Sequence, residues 1–306
     1  MTEHFIDRLL AAIEAKHAPV CVGIDPVAER LPEEFATRAN SVRAAADRVE
    51  AFGRSVIDSV APLVPAVKIN SAFFEAFYEF GVAAFYRLIE HAHERGLLVI
   101  ADVKRGDIGS TARLYAQGHL APPAFADVAP QRIPDAVTLA GYLGAGAVRP
   151  FIEIARATGR GLFVLVRPSD PGADRTHEFG EPRRFYQHMA DLVREWGAGD
   201  GLIGARGFSC VGAVVAPKDA HSTRALRDLA PQTFLLVPGF GAQGADAEAC
   251  RACFRADGVG AIVNASRSVI YAFERADLSQ RCGADWRACV AHAARELAAE
   301  MADVLA

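Results

Sequence analysis

Leu97-Leu98-Val99-Ile100-Ala101-Asp102-Val103-Lys104-Arg105-Gly106-Asp107-Ile108 begins as an apolar run and ends in a cluster of charges. The portion Leu97–Val103 has the length and β-branched content of a strand buried on both faces. Asp102 and Lys104 are two positions apart, so on a strand they point to the same side. Asp107 follows three residues after Lys104, just past the strand. Two carboxylates flanking one ammonium keep that ammonium charged and fixed, and they place negative charge beside any anionic substrate group.

Seven further runs of the same kind flank this one: Val20–Ile24, Ala66–Ile69, Ala136–Leu139, Gly161–Val166, Val211–Ala216, Phe234–Val237 and Ala261–Val263. Helical patterns lie between them. Phe5, Leu9 and Ile13 recur every four residues before the first run. Val42, Ala45, Val49, Phe52, Val56 and Val60 form a stripe before the second. Ala84, Leu88, His91 and Arg95 form a weaker one before the third, and Trp286, Val290, Ala293, Leu297 and Met301 close the chain. Eight strands alternating with helices predict an α/β fold, a single-domain (β/α)8 TIM barrel over residues 1–306. A doubly wound open sheet is the rival, but no Gly-x-Gly-x-x-Gly follows the first run. The proline-rich stretch Gly118–Pro134 reads as a long loop with some helix and the polar stretch Arg167–Pro182 as a second loop, and long loops in compact domains are often functional.

Bulk properties narrow the function class. The chain has 306 residues, 51% of them hydrophobic and 23% charged, with a formal net charge of −4 and no basic stripe, which speaks against nucleic-acid binding. Six cysteines at irregular spacing do not form a disulfide framework. Cys250 and Cys253 make a lone C-x-x-C without the second pair a zinc site would need. No leader-like segment and no run near ~20 apolar residues is seen, so no membrane span and a cytoplasmic location are expected.

In a barrel of this kind the active site lies at the C-terminal ends of the strands. Asp25 ends the first, Lys68 and Asn70 belong to the second, and Asp102 and Lys104 to the third; Ser169 and Asp170 follow the fifth. After the seventh comes Pro238-Gly239-Phe240-Gly241-Ala242-Gln243-Gly244, and after the eighth Asn264-Ala265-Ser266-Arg267-Ser268. A glycine-rich turn lets backbone N–H groups approach a phosphate closely, and the loops after strands seven and eight are the usual phosphate site of the fold. His91 and His93, two apart on a helix, read as surface residues. Phe73, Phe74 and Phe77 read as packing. Neither a His-Glu-x-x-His metal motif nor a Gly-x-Ser-x-Gly elbow is present.

Asp102-x-Lys104-x-x-Asp107-Ile108, with Thr111 following, resembles the motif of the orotidine 5'-phosphate decarboxylase family. Val67–Glu75, Pro238–Gly244 and Asn264–Tyr271 are similar to its longer bacterial branch, and the resemblance runs from about Asp25 to Tyr271. It implies a homodimer of barrels with shared active sites, no cofactor and no metal. It implies that orotidine 5'-phosphate loses carbon dioxide to give uridine 5'-phosphate in pyrimidine nucleotide synthesis. By matching position it gives Asp25 the ribose, Lys68 a link from the sugar hydroxyls to the acids, and Asp102 the place beside the substrate carboxylate. It makes Lys104 the proton donor to C6 and sends Asp107 and Thr111 into the partner's site. Ser169 takes the pyrimidine, and Gln243 and Arg267 take the phosphate. The sequence departs from the family at Leu139-Ala140-Gly141-Tyr142, where an Asn-Pro usually precedes the tyrosine, and at Arg167-Pro168-Ser169-Asp170-Pro171, where Thr-Ser-Asn-Pro is usual. Both departures bear on base recognition. Two alternatives stay open: a magnesium-dependent barrel acting on acyclic sugar phosphates, and a non-catalytic phosphate-ligand binder.

Overall fold

Eight parallel strands close on themselves in chain order, with β1 (Val20–Ile24) paired to both β2 (Ala66–Asn70) and β8 (Ala261–Ala265). Between these lie β3 (Leu98–Arg105), β4 (Ala136–Leu139), β5 (Gly161–Arg167), β6 (Ser209–Val215) and β7 (Thr233–Val237). The computed structural model describes residues 3–35, 40–125, 127–239 and 247–305. The architecture is the expected (β/α)8 barrel, and each of the eight apolar runs is a strand, with ends shifted by at most two residues at either side.

Helices surround the strands: α1 (Phe5–Lys16), α2 (Val42–Val60), the one-turn α3 (Ala72–Glu75), α4 (Tyr78–Glu94), α5 (Gly109–Leu120), α6 (Ala145–Thr158), the one-turn α7 (Asp174–His177), α8 (Phe185–Trp196) and α9 (Ala220–Leu229). After β7 come α10 (Ala247–Arg251), and after β8 α11 (Arg267–Ile270), α12 (Ala276–Cys282) and α13 (Trp286–Leu305). The stripe on α2 is narrower than its period suggests. Val49, Phe52, Val56 and Val60 are buried in the core, whereas Val42 in the first turn is exposed and Ala45 only half-buried. No helix among the described residues is long and apolar enough to cross a membrane.

Helix α1 plugs the N-terminal mouth of the barrel. Phe5, Ile6, Leu9 and Leu10 pack onto Cys21, Ile100, Phe163, Phe208 and Phe234, and the Phe5 and Phe163 rings meet edge to face at 6.1 Å. Gly161 opens β5 because a side chain there would collide with Phe5: a Cβ would lie 2.1 Å from the ring. The plug leaves only the C-terminal mouth for a ligand.

Both helix-α4 histidines depart from the surface reading. His91 is buried, its Nε2 2.9 Å from Asp58 Oδ1 and its Nδ1 3.0 Å from Arg54 Nη1. His93 is half-buried, with Nε2 2.9 Å from Asp135 Oδ2. The two do diverge, as residues two apart on a helix must, but polar partners from neighbouring elements receive each of them. Arg167, read as the start of a loop, is instead the buried last residue of β5, at 4% exposure. Its guanidinium donates to Glu178 Oε1 at 2.8 and 3.0 Å and to Ser222 Oγ at 2.9 Å. Together with the Lys218–Asp174 ion pair at 2.9 Å, it ties the chain after β5 to the elements around β6.

Candidate active site

Four charged side chains from the ends of three adjacent strands meet on the floor of the open mouth. Lys68 Nζ stands 2.9 Å from Asp102 Oδ2 and 4.0 Å from Asp25 Oδ1, and Lys104 Nζ stands 2.6 Å from Asp102 Oδ1. The order acid, base, acid, base follows from register: Gly23 lies opposite Lys68, and Asn70 opposite Asp102. Lys68 and Asp102 are buried at 6% and 7% exposure, whereas the Lys104 side chain is 49% exposed and reaches into the mouth.

Electrostatics hold the buried pair at its centre, Lys68 and Asp102, ionised. Burial by itself would lower the Lys68 pKa, but the Asp25 and Asp102 carboxylates outweigh it and hold the ammonium above the ordinary lysine range. Burial would likewise raise Asp102, yet Lys68 and Lys104 hold its carboxyl well below the usual carboxylate range. Among the described residues, no hydrogen bond reaches the buried Oδ1 of Asp25.

The floor opens into a cavity of about 220 Å³ lined by Asp25, Lys68, Asp102, Lys104, Ser169 and Arg267, with Leu165, Val214 and Leu236 forming an apolar side. Ser169 lines it from just past β5. Arg267 is exposed at the rim next to Gly239 and Ser266, and among the described residues none makes an ion pair with it. Gly23 makes room for this corner, since a Cβ there would lie 1.9 Å from Ser266 Oγ. Gln243 lies outside the described residues. Asp107 and Thr111 do not line the cavity. Asp107 is half-buried just beyond β3, with Oδ1 accepting the Ile108 N–H at 2.8 Å, and Thr111 is exposed on α5. Cys250 and Cys253 are both buried away from this mouth. Among the described residues no group of three or more His, Cys, Asp or Glu side chains is placed to hold a metal ion.

Asp102 and Lys104 converge, but not by regular alternation. Ala101 faces Val137 and Arg105 faces Leu139, so four residue steps on β3 oppose two on β4. This is a bulge, and Lys104 in it has φ +44°, a left-handed conformation that costs a non-glycine residue about 1–3 kcal/mol. Thr138 of β4, 1% exposed, sits against the bulge and lines the cavity. Sequence reading passed over it, because a threonine inside a four-residue buried strand looks like a β-branched filler. The one available signal was its position one residue before the end of β4, facing the Asp102 segment.

The family model described as "Orotidine 5'-phosphate decarboxylase / HUMPS family" matches residues 18–280. The chain belongs to the orotidine 5'-phosphate decarboxylase / HUMPS family. Within it, the chain is 39% identical over 284 residues to the orotidine 5'-phosphate decarboxylase of Rhodopirellula baltica, covering 90% of this chain and 91% of that one. It is 34% identical over 278 residues to the enzyme of that name from Caldicellulosiruptor saccharolyticus, covering 89% and 90%. The solved structure of Leishmania donovani OMP decarboxylase superposes with a TM-score of 0.73 at 27% identity, covering 99% of this chain and 98% of that one. Carboxy-lyase relatives thus match the chain nearly end to end, and their shared barrel is the one described above.

Proposed function

We propose that the protein decarboxylates orotidine 5'-phosphate to uridine 5'-phosphate, as a cytoplasmic homodimer and without a cofactor. The observation that carries this reading is the alternating array Asp25–Lys68–Asp102–Lys104 on the floor of a cavity whose rim presents Arg267.

The chemistry follows from the array. The C6–carboxyl bond breaks, carbon dioxide leaves, and the bonding electron pair stays on C6. A fixed ammonium beside that carbon stabilises the developing charge, and Lys104 Nζ then gives C6 its proton and recovers one from water. Asp102 repels the departing carboxylate but not neutral carbon dioxide. The buried Oδ1 of Asp25 accepts a ribose hydroxyl, and Lys68 bridges the sugar to Asp102. Ser169 hydrogen-bonds the pyrimidine, whose flat face lies on Leu165, Val214 and Leu236. Arg267, with Gln243, holds the phosphate, whose remote binding energy orients the ring. The loop Arg167–Pro182, of which Arg167 itself ends β5, closes over the pyrimidine.

Asp107 and Thr111 complete the partner's site. Exposed apolar side chains lie beside them in the chain: Ile108 at 62%, Leu114 at 67% and Tyr115 at 37% exposure. Exposed apolar groups next to an active-site loop support a subunit interface.

Two measurements test this reading. Decarboxylation of orotidine 5'-phosphate, followed by its ultraviolet absorbance, should proceed at an undiminished rate in excess chelator; loss of that turnover on chelation overturns the cofactor-free reading, and no turnover at all sinks the function and leaves the metal-dependent sugar-phosphate chemistry. Separately, Asp25→Asn and Asp107→Asn subunits, each inactive alone, should regain roughly a quarter of the parental rate when mixed in equal amounts, because random pairing makes half of the dimers mixed and each has one intact site. A mixture as inactive as its components would show that Asp107 does not serve a neighbouring site.

A further inference from the structure

Three hydrogen bonds close a ring around the bulge in β3. Lys104 donates its backbone N–H to Thr138 Oγ1 at 2.9 Å, Thr138 donates its hydroxyl proton to Asp102 Oδ1 at 2.8 Å, and Lys104 Nζ donates to the same Oδ1 at 2.6 Å. We propose that Thr138 is a positioning residue of the reaction: its hydroxyl holds the main chain of Lys104 in the left-handed conformation and so aims the ammonium. The kinetic part of this inference rests on the decarboxylase reading.

The bulge creates the need for such a residue. In a regular ladder the Lys104 N–H would point to the same side as the main chain of Asp102, whose carbonyl accepts from Ser71 N just past β2, but the two extra residues on β3 turn it toward β4, where it meets the Thr138 hydroxyl rather than a ladder carbonyl. A buried N–H without an acceptor is costly, so the side chain of Thr138 stands in for the missing carbonyl. The hydroxyl has one proton and spare lone pairs. It spends the proton on Asp102 and a lone pair on Lys104, which leaves the ring no freedom of direction. At 1% exposure the hydroxyl cannot trade either partner for water. Threonine suits the position better than serine, because β-branching restricts χ1. Just beyond, the Ala140 N–H donates to Arg105 O at 2.8 Å, and a Cβ on Gly106 would press to 2.8 Å from Ala140 O. β4 thus grips the β3 segment on both sides of Lys104. The lysine is held at its backbone by Thr138 and at its tip by Asp102, and these two anchors are themselves bonded.

The test compares Thr138→Val, which keeps the shape and removes the hydroxyl, with Thr138→Ser, which keeps the hydroxyl. For the valine variant a fall in kcat on the order of tenfold to a hundredfold is expected, because a small misplacement of a reacting group is costly. Its KM and its affinity for uridine 5'-phosphate should stay within about threefold of the parent, since Asp25 and Arg267 are untouched. The serine variant should recover most of the rate. Independently of any activity, amide exchange at Lys104 followed by NMR in the ligand-free protein should accelerate in the valine variant and not in the serine one. Parental kcat in Thr138→Val, a serine variant as slow as the valine one, or unchanged Lys104 exchange each overturns the proposal. Should Thr138→Val not fold, Thr138→Ala removes the same hydroxyl with less bulk and is read by the same criteria. Failure of the parent to decarboxylate the substrate would strike the functional reading, while the exchange comparison would still decide whether Thr138 holds the bulge.

Discussion

Lys104→Ala is expected to lower kcat on orotidine 5'-phosphate on the order of 10⁵-fold, the product of a lost proton donor and a lost electrostatic stabiliser. Both roles fall to one side chain because Lys104 Nζ, held 2.6 Å from Asp102, is the half-exposed ammonium facing the mouth. Lys68 cannot replace it. It is buried at 6% exposure and is engaged by two carboxylates. Little loss of stability should accompany the change, since the Lys104 side chain is half in solvent and exposed ion pairs contribute little. Affinity for uridine 5'-phosphate should also persist, because neither Asp25 nor Arg267 is disturbed. Single-turnover kinetics, with product binding by calorimetry, check this. A variant within tenfold of the parent would remove Lys104 from the chemistry.

Asp102→Asn should have the second-largest effect, and it should appear in stability as well as in rate. Asp102 is the hub of the array, accepting hydrogen bonds from Lys68, Lys104 and Thr138. Neutralising it leaves the buried Lys68 ammonium with Asp25 alone, 4.0 Å away. Removing one partner of a buried pair costs about 3–5 kcal/mol. The pH window follows from the two shifts. The folded pKa of Asp102 is lowered, so its contribution is present above its unfolded value of about 3.9 and disappears as pH falls. The folded pKa of Lys68 is raised, so its contribution is present below its unfolded value of about 10.4 and disappears as pH rises through the folded one. The parent should therefore exceed the variant most between roughly pH 5 and pH 9, and the two should converge in acid. In the same variant kcat should drop on the order of 10³-fold as the Lys104 tip loses its anchor. Urea unfolding across pH reads the first effect; a parental midpoint at pH 7 would mean that the pair does not stabilise the fold.

Much of this molecule is legible in one dimension. Apolar runs buried on both faces must be strands in a sheet covered by helices, and eight of them alternating with helical stripes leave few arrangements other than a closed barrel. Strand ends then locate the mouth, so Asp25, Lys68, Asp102, Ser169 and Arg267 converge as their positions in the runs require. Burial in the outer layer was less legible. His91 reads as exposed from its spacing, yet α2 packs on α4 and brings Arg54 and Asp58 to it, and no local pattern reports a partner from a different helix. Arg167 likewise reads as loop until Glu178 and Ser222 are seen to satisfy it.

Periodicity and residue type, which are local, determined by themselves the strand count, the barrel and the charged residues of its mouth. Only the tertiary structure decided how Lys104 is aimed. A period of two places Asp102 and Lys104 on one side, but the bulge, the left-handed turn at Lys104 and the Thr138 hydroxyl that receives its N–H depend on the register of β3 against β4. Register is a relation between segments 34 residues apart and leaves no mark in either segment alone.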